Sequence, residues 1–194
     1  FCVESFRLLL GVLIFMSIIL TFIKFKFIEK ELVVESYVTP VLEFFQRYGV
    51  KLAMLLLVLI GLYRISDIVL GVISNIFFQD LGYNKKEIAS VVKTFGLLMT
   101  ILGGFLGGIL SFRFGVMKIL FLGGLLTVLS NLLFMLLAVE GYNMQLLYLV
   151  ISADNLSAGI ASAAFVAFLS RLTNTSFTAM QYAIFSSLMS LFPK

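Results

Sequence analysis

The sequence is dominated by long apolar runs in which Asp, Glu, Lys and Arg are nearly absent. A helix needs about 20 consecutive apolar residues to cross a bilayer, and 61% of the 194 residues are hydrophobic while 12% are charged. Lipid admits only helices and closed barrels, and the runs lack the alternation of a barrel strand. The sequence therefore predicts an all-α, polytopic membrane helix bundle with about six transmembrane helices. These spans lie at 8–23, at 52–79 with a break between 63 and 68, and at 94–112, 119–139, 141–170 and 172–193.

One connection, residues 27–50, is much longer than the others. In it Thr39 and Pro40 have the form of an N-cap followed by proline at the first helical position, and Gly49 has that of a helix stop. Between these points the sequence predicts an amphipathic helix that lies on the membrane surface. Its apolar face comprises Val41, Leu42, Phe45 and Tyr48, and its polar face comprises Glu43, Gln46 and Arg47.

Basic residues are distributed unevenly between the connections. If the odd-numbered connections face the cytoplasm, that side carries eight Lys and Arg residues and the other side carries three, in agreement with the positive-inside rule. The linker 27–50 is then cytoplasmic. The net charge of +4 is accordingly interpreted as membrane topology, and no nucleic-acid partner is predicted.

The residue types that most enzymes use are scarce in this sequence. Histidine is absent and Cys2 is the single cysteine, so the commonest general base and the commonest metal ligands are missing. The sequence predicts no catalytic residue, no metal site and no cofactor. An integral-membrane enzyme is disfavoured, although two carboxylates converging in a cavity without basic partners would favour one.

Four ionisable residues, Arg64, Asp67, Lys93 and Asp154, fall within the predicted spans. A charge at the bilayer centre costs at least about 2.5–3.5 kcal/mol, so each needs a partner or a water-filled cavity. Arg64 and Asp67 are three residues apart and could form an internal ion pair with a purely structural role. Lys93 could snorkel to the interface, while Asp154 has no basic neighbour in its own helix and would suit a proton carrier. Together the four favour a path for a hydrophilic solute.

Small residues form two stripes, at Gly103, Gly104, Gly107 and Gly108 and at 157–164. Such stripes let helices approach closely where lipid gives no hydrophobic driving force. Static packing and a surface along which helices move during transport are both open interpretations.

Four stretches carry short motifs: Leu-Tyr-Arg-Ile-Ser-Asp at 62–67, Val-Lys-Thr-Phe-Gly-Leu at 92–97, Asp-Asn-Leu at 154–156 with Ala-Phe-Val-Ala-Phe-Leu at 164–169, and Asn-Thr-Ser-Phe-Thr-Ala-Met-Gln-Tyr-Ala at 174–183. Together these stretches resemble the AmpG-type muropeptide permeases of the major facilitator superfamily. Their order and spacing agree with that family over about residues 5–190, although Asp154 stands where the family usually has glutamate. A segment with Gly108, Arg113, Gly115 and Lys118 is similar to the superfamily's gating loop but lacks its aspartate.

The resemblance implies a partial major-facilitator fold that corresponds to the family's sixth through eleventh helices. Residues 1–26 would hold the last helix of the amino-terminal half, 27–50 the inter-half linker, and 51–194 an incomplete carboxy-terminal half with five spans. It also implies import of anhydromuropeptides with protons across the bacterial inner (plasma) membrane, in peptidoglycan recycling. The alternatives are a non-transporting remnant and an assembly partner of a split permease, whose missing helices a second polypeptide would supply.

Charge, depth and the resemblance together give each candidate site residue a role. Arg64 and Lys93 are expected to bind the carboxylates of the substrate, and Asn155 and Gln181 to hydrogen-bond its sugar. Tyr63 is a further candidate for substrate binding. Asp154 or Asp67 is expected to couple transport to protons. Gly108, Arg113, Gly115 and Lys118 would form the gating loop.

Overall fold

The computed structural model describes residues 34–63 and 65–191, and residues 14, 17 and 31 as isolated positions. This part of the chain forms six helices and no strand, which confirms the predicted all-α bundle. The predicted span at 8–23 lies outside the described residues, apart from positions 14 and 17. The helices are α1 (Val34–Leu62), α2 (Ile65–Asp80), α3 (Lys85–Phe114), α4 (Val116–Glu140), α5 (Met144–Leu172) and α6 (Thr178–Leu191).

Four of these helices, α1, α3, α4 and α5, are long and apolar enough to cross a membrane. The predicted span at 52–79 is divided between two helices, because α1 ends at Leu62 and α2 begins at Ile65. α2 has 16 residues and α6 has 14, fewer than the about 20 residues of a typical span. The described part thus has four helices of spanning length and two shorter ones, where the sequence predicted five spans.

Gly49 divides α1 into two helical segments. Its φ of 71° and ψ of 154° lie outside helical geometry, and glycine adopts positive φ without strain. The predicted stop therefore coincides with a kink, after which the helix continues. The predicted N-cap at Thr39 is wrong. The cap is Val38, at the end of a π-helical turn (Val34–Val38), and Thr39 Oγ1 donates a 3.1 Å hydrogen bond to Val34 O.

The first segment of α1, residues 39–48, has a buried aromatic residue that packs on another helix. Phe44 is buried, whereas Val41 and Leu42 of the predicted apolar face are exposed. The Phe44 ring packs against Phe185 of α6 with centroids 5.1 Å apart. One side of the segment thus packs on other helices of the protein, where polar side chains such as Glu43 also find partners. The location of this helix on the membrane surface stays a prediction.

α3 begins at Lys85, nine residues before the predicted start. Asn84 caps it: its side chain accepts hydrogen bonds from the backbone of Lys86 and Glu87, and Glu87 Oε2 accepts one from Asn84 N (2.9 Å). This capping box lets the charged first turn be helical, which the search for charge-free runs missed. The stretch Ala89–Phe95 is π-helical.

The junction between α3 and α4 is a single non-helical residue, Gly115, with φ 95°. The spans predicted at 94–112 and 119–139 leave a loop between them, and that expectation is wrong, since Arg113 lies in α3 and Lys118 in α4. Gly108 lies well inside α3. Glycine adopts a positive φ without strain, so the chain can change direction at this one residue. No longer loop is therefore required between the helices that carry the two charged residues.

α5 is the centre of the bundle and packs along both α3 and α4. Its buried residues contribute to two apolar clusters. Phe165 and Phe168 belong to one, together with Phe44 and Phe185, and Val150 and Ile151 belong to the other, together with Phe78 and Phe134. The polar residues of α5 lie between these clusters along the helix.

One side of the glycine stripe of α3 packs closely against α5. A Cβ at Gly103 would lie 2.3 Å from Leu156 O, and one at Gly107 would lie 2.7 Å from the Cα of Ile160. Nothing lies within 4 Å of a Cβ built at Gly104 or Gly108. Gly103 and Gly107 thus form the close contact with α5, and their neighbours point away from it.

Tyr83 links the turn before α3 to the turn before α5 by hydrogen bonds. Its hydroxyl donates to Asn143 O and accepts from Asn143 N, both at 2.9 Å, and the side chain is 3% exposed. The nearby Tyr142 is 54% exposed and donates to Glu87 Oε1 at 2.8 Å. That hydrogen bond raises the pKa of the Tyr142 phenol.

Replacing Tyr83 by phenylalanine is expected to lower the free energy of unfolding by about 1–3 kcal/mol, because the N–H and C=O of Asn143 both lose the buried Tyr83 hydroxyl as their hydrogen-bond partner. Tyr142→Phe is the matched control and is expected to cause no measurable change, because its hydroxyl is exposed to water. Unfolding of the purified variants in mixed detergent, followed by circular dichroism, measures the difference. Equal effects of the two substitutions would contradict this prediction.

Candidate functional site

A half-open polar cavity of about 330 Å³ lies between α2, α3 and α5, and Phe134 of α4 closes one side. It occupies the half of the bundle nearer to the turns at 81–84 and 141–143. Three predicted site residues, Lys93, Asp154 and Asn155, come together in it. The lining residues are Gly71, Ser74, Asn75, Phe78, Val92, Lys93, Phe134, Ile151, Asp154, Asn155 and Ala158.

Lys93 enters the cavity from the π-helical stretch of α3. π-helical turns are rare, and they occur frequently at functional sites, because the extra residue changes the direction in which side chains point. Lys93 lies about two turns after the start of α3 at Lys85. The ammonium group therefore has access to the cavity at a depth where apolar residues dominate the neighbouring helices.

Asn155 is held in place by α3. Its Oδ1 accepts a 2.9 Å hydrogen bond from Thr100 Oγ1, and its Nδ2 donates to Ile151 O at 3.0 Å. Gly96 leaves room for this approach, since a Cβ there would lie 3.1 Å from Asn155 Nδ2, closer than ordinary van der Waals contact. The amide is thus pre-oriented at the wall of the cavity.

Asp154 is connected to α4. Its Oδ1 lies 3.2 Å from Ser130 Oγ, which is also 2.9 Å from Thr127 O. The carboxyl group therefore lines the cavity from α5 while one of its oxygens contacts the neighbouring helix. A titratable group that contacts one helix and faces a cavity between others can respond to both protons and solute.

The cavity contains complementary polar groups. Lys93 supplies a cation, Asp154 a carboxyl group, and Asn75 and Asn155 supply amides that both donate and accept. Such a set suits a hydrophilic solute that carries charges of both signs. Among the residues that the structure describes, no group of three or more His, Cys, Asp or Glu could hold a metal ion.

Two other predicted substrate residues, Tyr63 and Gln181, are not among the residues that line this cavity. Tyr63 donates to Leu120 O (2.9 Å), and its ring stacks on Phe165 with centroids 4.8 Å apart. Gln181 is 1% exposed and contacts α1. Arg64 and the side chain of Asp67 lie outside the described residues.

The residues of the predicted gating loop lie at the opposite end of the bundle from the cavity. Arg113 and Lys118 are exposed on either side of Gly115. The Arg113 guanidinium carbon lies 5.4 Å from the centre of the Phe114 ring. Arg113 and Lys118 therefore flank a tight helical corner at Gly115, whereas Gly108 lies inside α3.

α2 also contributes to the cavity, which was not predicted from the sequence. Gly71, Ser74 and Asn75 line it, and they are spaced i, i+3 and i+4, which puts them on one helix face. This small and polar face within an otherwise apolar run was the available signal. Thr100, which orients Asn155, had no comparable signal because its partner lies on another helix.

Comparison with known proteins gives several similar sequences, although no family model matches the chain. The chain is 36% identical over 157 residues to "Putative transporter AmpG 1" of Rickettsia prowazekii, which covers 77% of this chain and 35% of that protein. It is 36% identical over 149 residues to the protein of the same name from Rickettsia bellii, covering 75% and 36%. It is 32% identical over 158 residues to "Putative transporter AmpG 4" of Rickettsia conorii, covering 81% and 37%. The chain thus matches about a third of the length of these relatives.

Proposed function

Since this chain is a partial counterpart of the AmpG-type membrane transporters, we propose that it forms part of a secondary active transporter of the major facilitator superfamily. The proposed substrates are anhydromuropeptides, the sugar-peptide fragments of the cell wall. Import would be driven by protons across the bacterial inner membrane and would serve peptidoglycan recycling. The multi-pass character of the described helices supports this location in a membrane.

The observation that carries the proposal is the convergence of Lys93, Asp154 and Asn155 on one cavity. A sugar-peptide has carboxylates, an amine and many hydroxyl and amide groups. Lys93 would bind a carboxylate, and Asn155, already oriented by Thr100, would hydrogen-bond the sugar. Asp154 would carry the proton. Because the bilayer around the cavity offers no water, these polar groups have their strongest effect there.

The proposal also includes predicted residues that are not among the described residues lining the cavity. Arg64 remains a proposed carboxylate ligand and Asp67 an alternative proton carrier. Tyr63 would support the site indirectly, by fixing α1 against α4 and α5. The corner with Gly108, Arg113, Gly115 and Lys118 is the proposed gating element. For Gln181 the contacts with α1 and with Asn174 favour a different role.

The test is uptake of radiolabelled anhydromuropeptide into proteoliposomes with an imposed proton gradient. A chimaera in which this chain replaces the matching segment of the Rickettsia prowazekii relative is expected to transport. Lys93→Gln in the chimaera is expected to reduce uptake about tenfold or more at low substrate, because a charge-assisted hydrogen bond is lost. Lys85→Gln, at the exposed start of α3, is the matched control. Full uptake by the Lys93 variant would contradict the assigned site.

The second candidate is a non-transporting membrane protein, either a remnant or an assembly partner of a split permease. The chain spans about a third of the length of its relatives, and alternating access requires two halves around the site. Transport would then need helices beyond those of this sequence, which a second polypeptide could supply. Uptake by proteoliposomes that contain this chain alone would contradict this second candidate.

A further inference from the structure

Four polar side chains meet where the first segment of α1 touches the turn between α5 and α6. Glu43 is at the centre. Its carboxylate accepts hydrogen bonds from Arg47 Nε (2.8 Å), Asn174 Nδ2 (2.8 Å) and Gln181 Nε2 (2.7 Å). Arg47 is on the same helix, whereas Asn174 and Gln181 are more than 130 residues away in sequence. We call these four residues the Glu43 cluster.

Gln181 is the buried member of the cluster and uses both ends of its amide. Nε2 donates to Pro40 O (2.8 Å) as well as to Glu43, and Oε1 accepts from Asn174 N (2.7 Å). With 1% exposure, it has no access to water that could replace these partners. This side chain therefore joins the start of α1 to the α5–α6 turn, far from the solute cavity.

Arg47 extends the connection to the end of α5. Its Nη2 donates to Glu43 Oε2 (2.6 Å), and its Nη1 donates to Leu172 O (3.2 Å), one of the last carbonyls of α5. A carbonyl at a helix end has no partner within the helix, so a donor from elsewhere stabilises it. Leu172 lies 18 residues after Asp154, or about 27 Å along α5. The cluster thus closes the end of the bundle opposite to the cavity.

The segment that the cluster holds, residues 39–48, is attached to the remainder of α1 through Gly49. The positive φ of Gly49 breaks helical geometry there, and nothing lies within 4 Å of a Cβ built at this position. Short non-helical points of this kind absorb the dihedral changes of hinge motions. Phe44 adds an apolar contact with Phe185, but the specific polar contacts lie in the Glu43 cluster.

We propose that the Glu43 cluster is a latch. It holds residues 39–48 on the α5–α6 turn, and when its hydrogen bonds break, the segment releases as a unit about Gly49 while the packing of α3 on α5 stays intact. The opening lies at the end of the bundle opposite to Lys93 and Asp154. Release of the latch therefore changes access to the interior of the bundle from the end that carries the Glu43 cluster. The cavity lined by Lys93 and Asp154 stays intact. The assignment does not depend on the chemical identity of the transported solute.

The experiment is amide hydrogen exchange, measured by mass spectrometry on the full chain in lipid nanodiscs. Gln181→Glu preserves the size of the side chain but replaces the donor Nε2 by an acceptor that faces Pro40 O and the Glu43 carboxylate. Exchange of residues 41–48 is expected to accelerate about tenfold or more, because a helix of ten residues that is released from its packing partners frays and opens its own amide hydrogen bonds. Exchange in α3 is expected to stay at the wild-type rate.

Gln46→Glu is the matched control, since it makes the same chemical change at an exposed position of the same segment. It is expected to leave all exchange rates unchanged. Arg47→Gln provides a second arm at the rim of the cluster, with a smaller acceleration confined to the same segment, and decides the matter if Gln181→Glu does not fold. Unchanged exchange at 41–48 in the cluster variants would overturn the latch. A parallel acceleration in α3 would also overturn it, because the cluster would then support the whole bundle.

Discussion

Gly103→Ala is expected to lower the free energy of unfolding by about 1–3 kcal/mol, whereas Gly104→Ala leaves it unchanged or raises it slightly. A Cβ at position 103 would lie 2.3 Å from Leu156 O, so α3 and α5 must separate along their contact. Overpacking of this kind costs about 1–3 kcal/mol. At position 104 nothing lies within 4 Å, and alanine is favoured over glycine in a helix by about 0.5–1 kcal/mol.

The two adjacent positions form a matched pair, because the substitution, the helix and the depth in the bundle are the same. Gly107→Ala and Gly108→Ala repeat the comparison one turn later, where the Cβ at 107 would lie 2.7 Å from the Cα of Ile160. Unfolding in mixed detergent followed by circular dichroism gives the four values. If Gly104→Ala were as damaging as Gly103→Ala, lipid or another helix would have to press on the opposite face of α3.

The same glycines illustrate what the sequence could and could not predict. Their spacing of four residues correctly indicated close helix packing. It contained two overlapping pairs, however, and the choice between them depends on how α3 rotates toward α5, which is a tertiary property. The sequence pattern therefore located the contact but left its face open.

Helix positions followed from the apolar runs, while helix ends did not. The charge-free run that predicts α3 starts at residue 94. Asn84 and Glu87 form a capping box that starts it at Lys85. Charged residues can occupy the first turn of a spanning helix because that turn reaches the interface. Local capping chemistry thus overrode the hydropathy rule.

The polar residues divided into two groups that sequence reasoning had treated as one. Lys93, Asp154 and Asn155 meet at the cavity, and Gln181 lies with Glu43 at the other end. The first group was predicted from the depth of its residues within the predicted spans. These residues meet because α3 and α5 are neighbours. The second group needed the contact of residues 39–48 with the α5–α6 turn, across more than 130 residues of sequence, and no local pattern signals such a contact.

Asp154→Asn is expected to reduce uptake driven by a proton gradient at least about tenfold in the chimaera with the Rickettsia prowazekii relative. The proposed reason is that asparagine retains the hydrogen bond with Ser130 and the size of the side chain, but cannot bind and release a proton. The measurement is uptake of radiolabelled anhydromuropeptide with an imposed gradient. Exchange of labelled for unlabelled substrate without a gradient is recorded in the same vesicles.

The separation between these two measurements identifies proton coupling. Exchange without a gradient needs binding and reorientation of the loaded carrier, so the Asp154 variant is expected to retain it within about threefold. A loss of both activities would assign Asp154 to substrate binding or stability instead. Asp80→Asn, at the exposed end of α2, is the matched control and is expected to behave as the unsubstituted chimaera. Uptake that Asp154→Asn leaves untouched would transfer the coupling role to Asp67, and the corresponding substitution there becomes the deciding measurement.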